Sequence, residues 1–222
     1  MKLLALESAN EQCSVSLIDE QQTLFFQLDA RAKAQTQTIL PMIEHGFQET
    51  HTAVSGLTAI AFSRGPGSFS GVRINAAVTQ ALAWSNDVPV IPVSTLQALA
   101  QAAYREQNLQ QVTAVIDARM SEVYIASYQL DDAEIMQPID EEKLLSYTDA
   151  AEYQKFTLIG SGAILVNAEA IEHKSITANA QDIAHIARSC ALAEQWVSAE
   201  LALPVYLRDD AWKKIPEQAK HD

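Results

Sequence analysis

Ser63-Arg64-Gly65-Pro66-Gly67-Ser68-Phe69-Ser70-Gly71-Val72-Arg73 holds three of the seven glycines in this 222-residue chain. The apolar run Leu57-Thr58-Ala59-Ile60-Ala61-Phe62 leads in, and a helix of small residues, about Gly71 to Ser85, leads out. A glycine-dense turn from strand to helix gathers backbone N–H groups around an anion, or lets one backbone approach another closely. The spacing fits neither common phosphate loop. Five places after Gly65 stands Ser70 with no Lys-Ser/Thr pair behind it, which rules out a Walker A motif. Gly65-x-Gly67-x-x closes on Ser70, with Gly71 one place late for a dinucleotide loop. A structural reading accounts for every residue. Gly65 and Gly67 permit positive φ, Pro66 stiffens the turn, Ser68 or Ser70 caps the helix, and Phe69 is expected to plug the core. Structural or interface use is favoured over anion binding, because this helix N-terminus has no lysine.

Outward from this loop the first half reads β-β-β-α-β-α with a closing β-α. Leu3-Leu4-Ala5-Leu6 suits a buried strand, Cys13 to Ile18 alternates until Asp19-Glu20, and Thr23 to Leu28 makes a third strand. Ile39, Met42, Ile43 and Phe47 recur at helical spacing between Gln35 and Thr50, with Pro41 expected in the first turns or at a kink. Pro89 to Val93 reads as a strand, and Ser94 as the N-cap of a helix through Leu96, Leu99 and Ala103. The second half begins again with strands at Val112–Asp117 and Glu122–Tyr128, a weaker one after Asp132, and Thr157-Leu158-Ile159-Gly160. Ala180 to Ala199 is expected to be one long amphipathic helix. Two lobes follow, residues 1–103 and 104–222, with the last helix and tail as candidates to pack back on the first lobe.

The chain carries 28 acidic against 15 basic residues, a net charge of −13. Nucleic-acid affinity comes largely from cationic neutralisation of phosphates, so this chain is not expected to grip a polyphosphate backbone by itself. Cys13 and Cys190 stand far apart in apolar stretches and read as buried free thiols. With no signal peptide and no long apolar span, the expected location is cytoplasmic, without membrane contact.

The segments Leu4-Ala5-Leu6-Glu7-Ser8-Ala9, Gly65 to Ile74, Asp117-Ala118-Arg119 with Glu122-Val123-Tyr124, and Pro204-Val205-Tyr206-Leu207-Arg208 occur in that order. Together they resemble the TsaB (YeaZ) family of bacterial tRNA threonylcarbamoyladenosine biosynthesis proteins, over about Lys2 to Lys214. The resemblance implies an α/β, two-lobed actin-like ATPase fold of the ASKHA, RNase H-like kind, each lobe a mixed sheet flanked by helices. It also implies a non-catalytic subunit beside a catalytic paralogue, TsaD, and an ATPase, TsaE. The product is a threonylcarbamoyl group on N6 of the anticodon-adjacent adenosine of tRNAs reading codons that begin with A. Self-association as a homodimer is implied when the chain is alone. The family-motif loop comprises Gly65, Gly67, Ser68, Gly71 and Arg73.

The residues bear on whether such a chain is an enzyme. A paired-histidine metal site on a helix needs histidines at i and i+4, and none of His45, His51, His173, His185 and His221 stand four apart. No metal and no cofactor of its own is expected, with ATP or ADP reserved for an interface in the complex. Glu7-Ser8-Ala9-Asn10-Glu11 lacks the glycine of a phosphate-cradling hairpin, and two carboxylates there oppose a triphosphate. Glu7, Asp117, Arg119, Gly160 and Gly162 are candidates for a vestigial nucleotide site. Alternatively Asp117 and Arg119 pair with each other or with neighbours, the favoured reading. A small actin-like ATPase or kinase with weak nucleotide binding is the rival function. A protease is not supported, since no G-x-S-x-G nucleophile elbow exists.

From Ile74 to Asn86 no residue is charged, so the helix after the glycine loop lacks the polar face of a surface helix. Ile74, Ala77, Val78, Ala81 and Leu82, with Ile39, Met42 and Ile43 of the preceding helix, are the expected partner interface. The tail Tyr206 to Asp210 with Lys213-Lys214 is either packed or a partner contact.

Overall fold

The computed structural model describes residues 1–31 and 33–208. The first lobe is built on β1 (Lys2–Glu7), whose Leu3, Leu4, Ala5 and Leu6 are fully buried. A strand buried on both faces needs apolar residues at consecutive positions, which is why this one reads as a run. β2 (Cys13–Asp19) and β3 (Thr23–Asp29) extend it as an antiparallel meander. The Asp19 carboxylate closes the β2–β3 turn by accepting from the Gln21 and Gln22 N–H groups, both at 2.8 Å. After α1 (Gln35–Glu49), with Pro41 inside it on the exposed side, β4 (Ala59–Ser63) lies parallel to β1. α2 (Phe69–Asn86) then crosses to β5 (Val90–Val93), giving the order β3-β2-β1-β4-β5. Ser68 caps α2, and Ser94 caps α3 (Thr95–Gln107) by accepting from the Leu96 and Gln97 N–H groups.

The second lobe repeats the plan in shorter form. β6 (Gln111–Arg119) and β7 (Glu122–Leu130) form its hairpin, and β8 (Met136–Pro138) and β9 (Lys143–Ser146) both pair with the outer edge of β7. α4 (Tyr147–Tyr153) leads to β10 (Thr157–Ile159), parallel to β6 as β4 is to β1. α5 (Ala163–Val166) and α6 (Ala180–Leu192) follow.

Side chains alternate between two faces along each strand, and this stacks the layers. Leu4, Leu6, Val15, Leu17, Ile60 and Phe62 meet Ile39, Met42 and Ile43 of α1 and Ala76 and Ala83 of α2. On the opposite face Leu3, Ala5, Ala61 and Ile91 join one cluster with α3, α6 and the second sheet's Val112, Ala114, Ala126 and Tyr128. α3 therefore packs against the second sheet and α6 against the first, both lying between the sheets. Alanines at positions 98, 100, 102 and 103 of α3 and 180, 184 and 187 of α6 keep these helices slim enough to fit there. A division at residue 103 runs through α3, and the lobes share one core.

Two expectations need correction. The helix expected over residues 180–199 ends at Leu192, because Glu194 turns left-handed at φ 55° and Val197 pairs with Val90 beside β5. Phe69 does not plug the core. It is 67% exposed and lies against the Arg73 guanidinium at 3.4 Å. Cys13 is buried and Cys190 half-buried, both as free thiols. Among the described residues no helix is long and apolar enough to cross a membrane.

Candidate functional site

The glycine loop presses against the tip of the first hairpin. A Cβ on Gly67 would collide with the Ala9 carbonyl, and one on Gly71 with the Ser8 carbonyl. Hydrogen bonds fix that approach: Ser68 N–H donates to Ala9 O at 2.7 Å, and Ser8 Oγ–H to Gly71 O at 2.9 Å. Gly71 N–H donates to Ser68 Oγ and Val72 N–H to Ser68 O. Gly65 takes φ +102°, and its carbonyl accepts from Thr95 N–H at the start of α3. The Gly65–Pro66 peptide is cis. Arg73 leaves the core side of the loop, donating to Phe69 O at 2.8 Å and lying between the Phe69 and Tyr206 rings. The glycines thus serve close backbone packing.

Beneath the loop lies Glu7, fully buried at the end of β1. Its Oε1 accepts from Ala9 N–H at 2.6 Å, while its Oε2 has no protein partner. Burial pushes its carboxyl up to about 7, against the lowering influence of the Ser63 hydroxyl and the Ala9 and Asn10 N–H groups. The sequence reading passed over Asn75, which bolts α2 down. Its Nδ2 donates to Leu6 O at 3.1 Å, Ser63 O at 3.2 Å and Ser63 Oγ at 2.7 Å, and its Oδ1 is unpartnered. The available signal was a pair of polar residues, Asn75 and Thr79, at i, i+4 on the side of α2 that also carries Val72, Ala76 and Ala83.

The second lobe uses the same device. Gly160, at φ +91°, and Gly162 let the chain after β10 press on β6, where Cβ atoms would meet Val115 O and Val115 Cγ1, each at 2.6 Å. Asp117 pairs with Arg119 at 3.0 Å, accepts from the Arg119 N–H at 2.8 Å, and donates its own N–H to Ser161 Oγ at 3.3 Å. The vestigial-site residues therefore form two separate sets: Glu7 under the first lobe's loop, and Asp117, Arg119, Gly160 and Gly162 around the end of β6. In the second set Asp117 and Arg119 bond to each other, while the Gly160 and Gly162 N–H groups donate to His173 O and Val115 O. The Glu7 carboxyl, raised by burial, carries less negative charge near neutral pH than an exposed acid, and Arg119 lies paired with Asp117. Among the described residues no cluster of three His, Cys, Asp or Glu is placed to hold a metal.

The outward face of α2 is the larger feature. Val72, Asn75, Ala76, Thr79 and Ala83 face the core, while Ala77 and Ala81 are exposed and Trp84 is 61% exposed. Ile74, Val78 and Leu82 are half-buried along the margins. Ile39, Met42 and Ile43 do not belong with them. They are 1%, 3% and 3% exposed, packed under the first sheet, and α1 offers Leu40 to solvent instead. The apolar width of α1 is explained by the sheet it covers.

A family model described as TsaD, tRNA N6-adenosine threonylcarbamoyltransferase, matches residues 29–208. The Escherichia coli (strain K12) tRNA threonylcarbamoyladenosine biosynthesis protein TsaB is 36% identical over 97% of this chain and 99% of that protein. This chain belongs to the TsaB family. The Haemophilus influenzae TsaB is similar at 34% identity over 97% of this chain and 98% of that protein. A solved structure, YeaZ from Pseudomonas aeruginosa, superimposes with a TM-score of 0.83 at 37% identity, covering 93% of this chain and 99% of that one. The fold is the two-lobed actin-like ATPase class, each lobe a mixed sheet flanked by helices. In this chain the first-lobe acid, Glu7, is buried and the glycine loop is closed on the first hairpin.

Proposed function

We propose that this TsaB-family chain is a non-catalytic subunit in the threonylcarbamoylation of tRNA at N6 of the anticodon-adjacent adenosine, in tRNAs reading codons that begin with A. It acts by binding the transferase TsaD, with the ATPase TsaE as a further component. The observation that carries this reading is the second apolar face of α2, uncharged from Ile74 to Asn86 and carrying Trp84 into solvent. A monomer gains nothing from such a face, whereas small alanines beside an exposed aromatic suit a closely approaching partner helix. The same face serves self-association when TsaD is absent. The match of residues 29–208 to the TsaD family model supports a paralogous partnership. The buried Glu7 and the Asp117–Arg119 pair support a chain with no turnover of its own. ATP or ADP then belongs to the assembled complex, and tRNA meets this acidic chain only through it.

Reconstitution tests the proposal. Purified TsaD and TsaE with tRNA, ATP and the threonylcarbamoyl donor are expected to modify tRNA only when this chain is added. The chain alone is expected to hydrolyse no ATP. Full modification without it, or steady ATP turnover by the isolated chain, would move the assignment to the ATPase reading.

A further inference from the structure

The tail after α6 first belongs wholly to the first lobe. Val197 exchanges two backbone hydrogen bonds with Val90, each 2.9 Å, and Ala202 is buried in the core between the first sheet and α2. Gln80 of α2 donates to the carbonyls of Ala199 and Glu200. The next residues have no regular structure, yet Val205 and Tyr206 anchor on the glycine loop. Val205 N–H donates to Arg64 O at 2.8 Å, Val205 O lies 3.1 Å from where a Gly65 Cβ would stand, and the Tyr206 ring covers Arg73. Two residues later the chain is attached to the other lobe. Arg208 Nη1 pairs with Glu122 Oε2 at 2.6 Å, and its Nη2 donates to Ala118 O at 3.3 Å, both on the β6–β7 hairpin.

Arg119, Met120 and Ser121 all take left-handed φ (62°, 55° and 62°), a conformation costing an L-residue on the order of 1 kcal/mol. Arg119 is closed on Asp117, which leaves Glu122 to be answered by the tail. A second strut runs in parallel, from Arg64 to Glu142 of the second lobe at 3.3 Å, and Arg64 is the residue to which Val205 is bonded.

We propose that Leu203–Arg208 is a strap that latches the two lobes through the Arg208–Glu122 pair, tying the base of α2 to the second lobe's hairpin. Because the strap holds Arg64, Gly65 and Arg73, a displacement of the hairpin reaches the first turn of α2 without passing through the shared core. This holds for the chain by itself, whatever partner α2 meets.

Amide hydrogen exchange on the isolated, full-length chain reads the latch. Arg208→Glu and Glu122→Arg are each expected to speed exchange at Val205 and across Ala118–Val123 by about fivefold or more, the scale of a well-formed ion pair. The doubly reversed pair is expected to restore slow exchange. Arg208→Gln, which removes the charge with little change of bulk, is expected to give the same direction of change and serves if a charge reversal unfolds the chain. Unchanged exchange at both places in Arg208→Gln, or a doubly reversed protein as loose as the single variants, would overturn the proposal.

Discussion

Glu7 is the residue whose chemistry departs furthest from its sequence appearance. On the page it is the acid of a phosphate-facing hairpin; in the fold it is a buried carboxyl with one oxygen unpartnered. Burial lifts it from 4.5 to about 7, so the folded state binds a proton that the unfolded chain has released. The stability tied to that proton is complete below about pH 4.5 and is lost as pH rises through about 7. The groups facing Glu7 are the Ser63 hydroxyl, the Ala9 and Asn10 N–H groups and the Asp182 carboxylate of α6, the last opposing ionisation. Glu7→Gln imitates the neutral acid. Measured by urea unfolding, its stability relative to wild type is expected to rise by on the order of 3 kcal/mol between pH 5 and pH 8, from the size of the shift. A difference that stays flat with pH would show that Glu7 is ionised in the folded protein. Glu7 illustrates what the sequence withholds: the glycines that exclude water from it lie more than fifty residues away, and packing against Ser8 and Ala9 leaves no local pattern. The glycine loop announced a tight turn, and the structure has one there. What it did not announce was the first hairpin pressing against it.

Local pattern was most informative about elements. The starts of α1 and α3, the strands of the first lobe and the Ser68 and Ser94 caps follow from periodicity and capping chemistry. α6 was overrun because Ala193 to Trp196 continues an apolar rhythm, whereas pairing of Val197 with Val90 is a contact across more than a hundred residues. The two interface helices were also read alike, though one is covered and one is not. Apolar width on a helix reports burial but not whether the covering surface belongs to the same chain. The distinction has a stability signature. Ile43→Ala on α1 is expected to cost about 2–5 kcal/mol in chemical denaturation, the usual range for emptying a core site. Ala81→Glu on the exposed side of α2 is expected to stay within about 0.5 kcal/mol of wild type. Equal destabilisation by the two would mean that the outer face of α2 is covered within the chain.

At the scale of the whole molecule, two lobes of one plan share a core through α3 and α6, and the surface strap joins them a second time. The repetition was legible only as strands first and helices after. The parallel placement of β10 on β6 and of β4 on β1 required the sheet order. The proposed function rests on the exposed, uncharged side of α2, which carries Ala77, Ala81 and Trp84. The most direct test is the affinity of purified TsaD for this chain, by titration calorimetry, with wild type and Ala81→Glu compared at equal folded stability. A charge forced into a dry helix–helix contact should weaken binding about a hundredfold or more. Loss of binding on that scale, with folding unchanged, is the predicted result. Affinity equal to wild type in Ala81→Glu and also in Trp84→Ala would contradict the account.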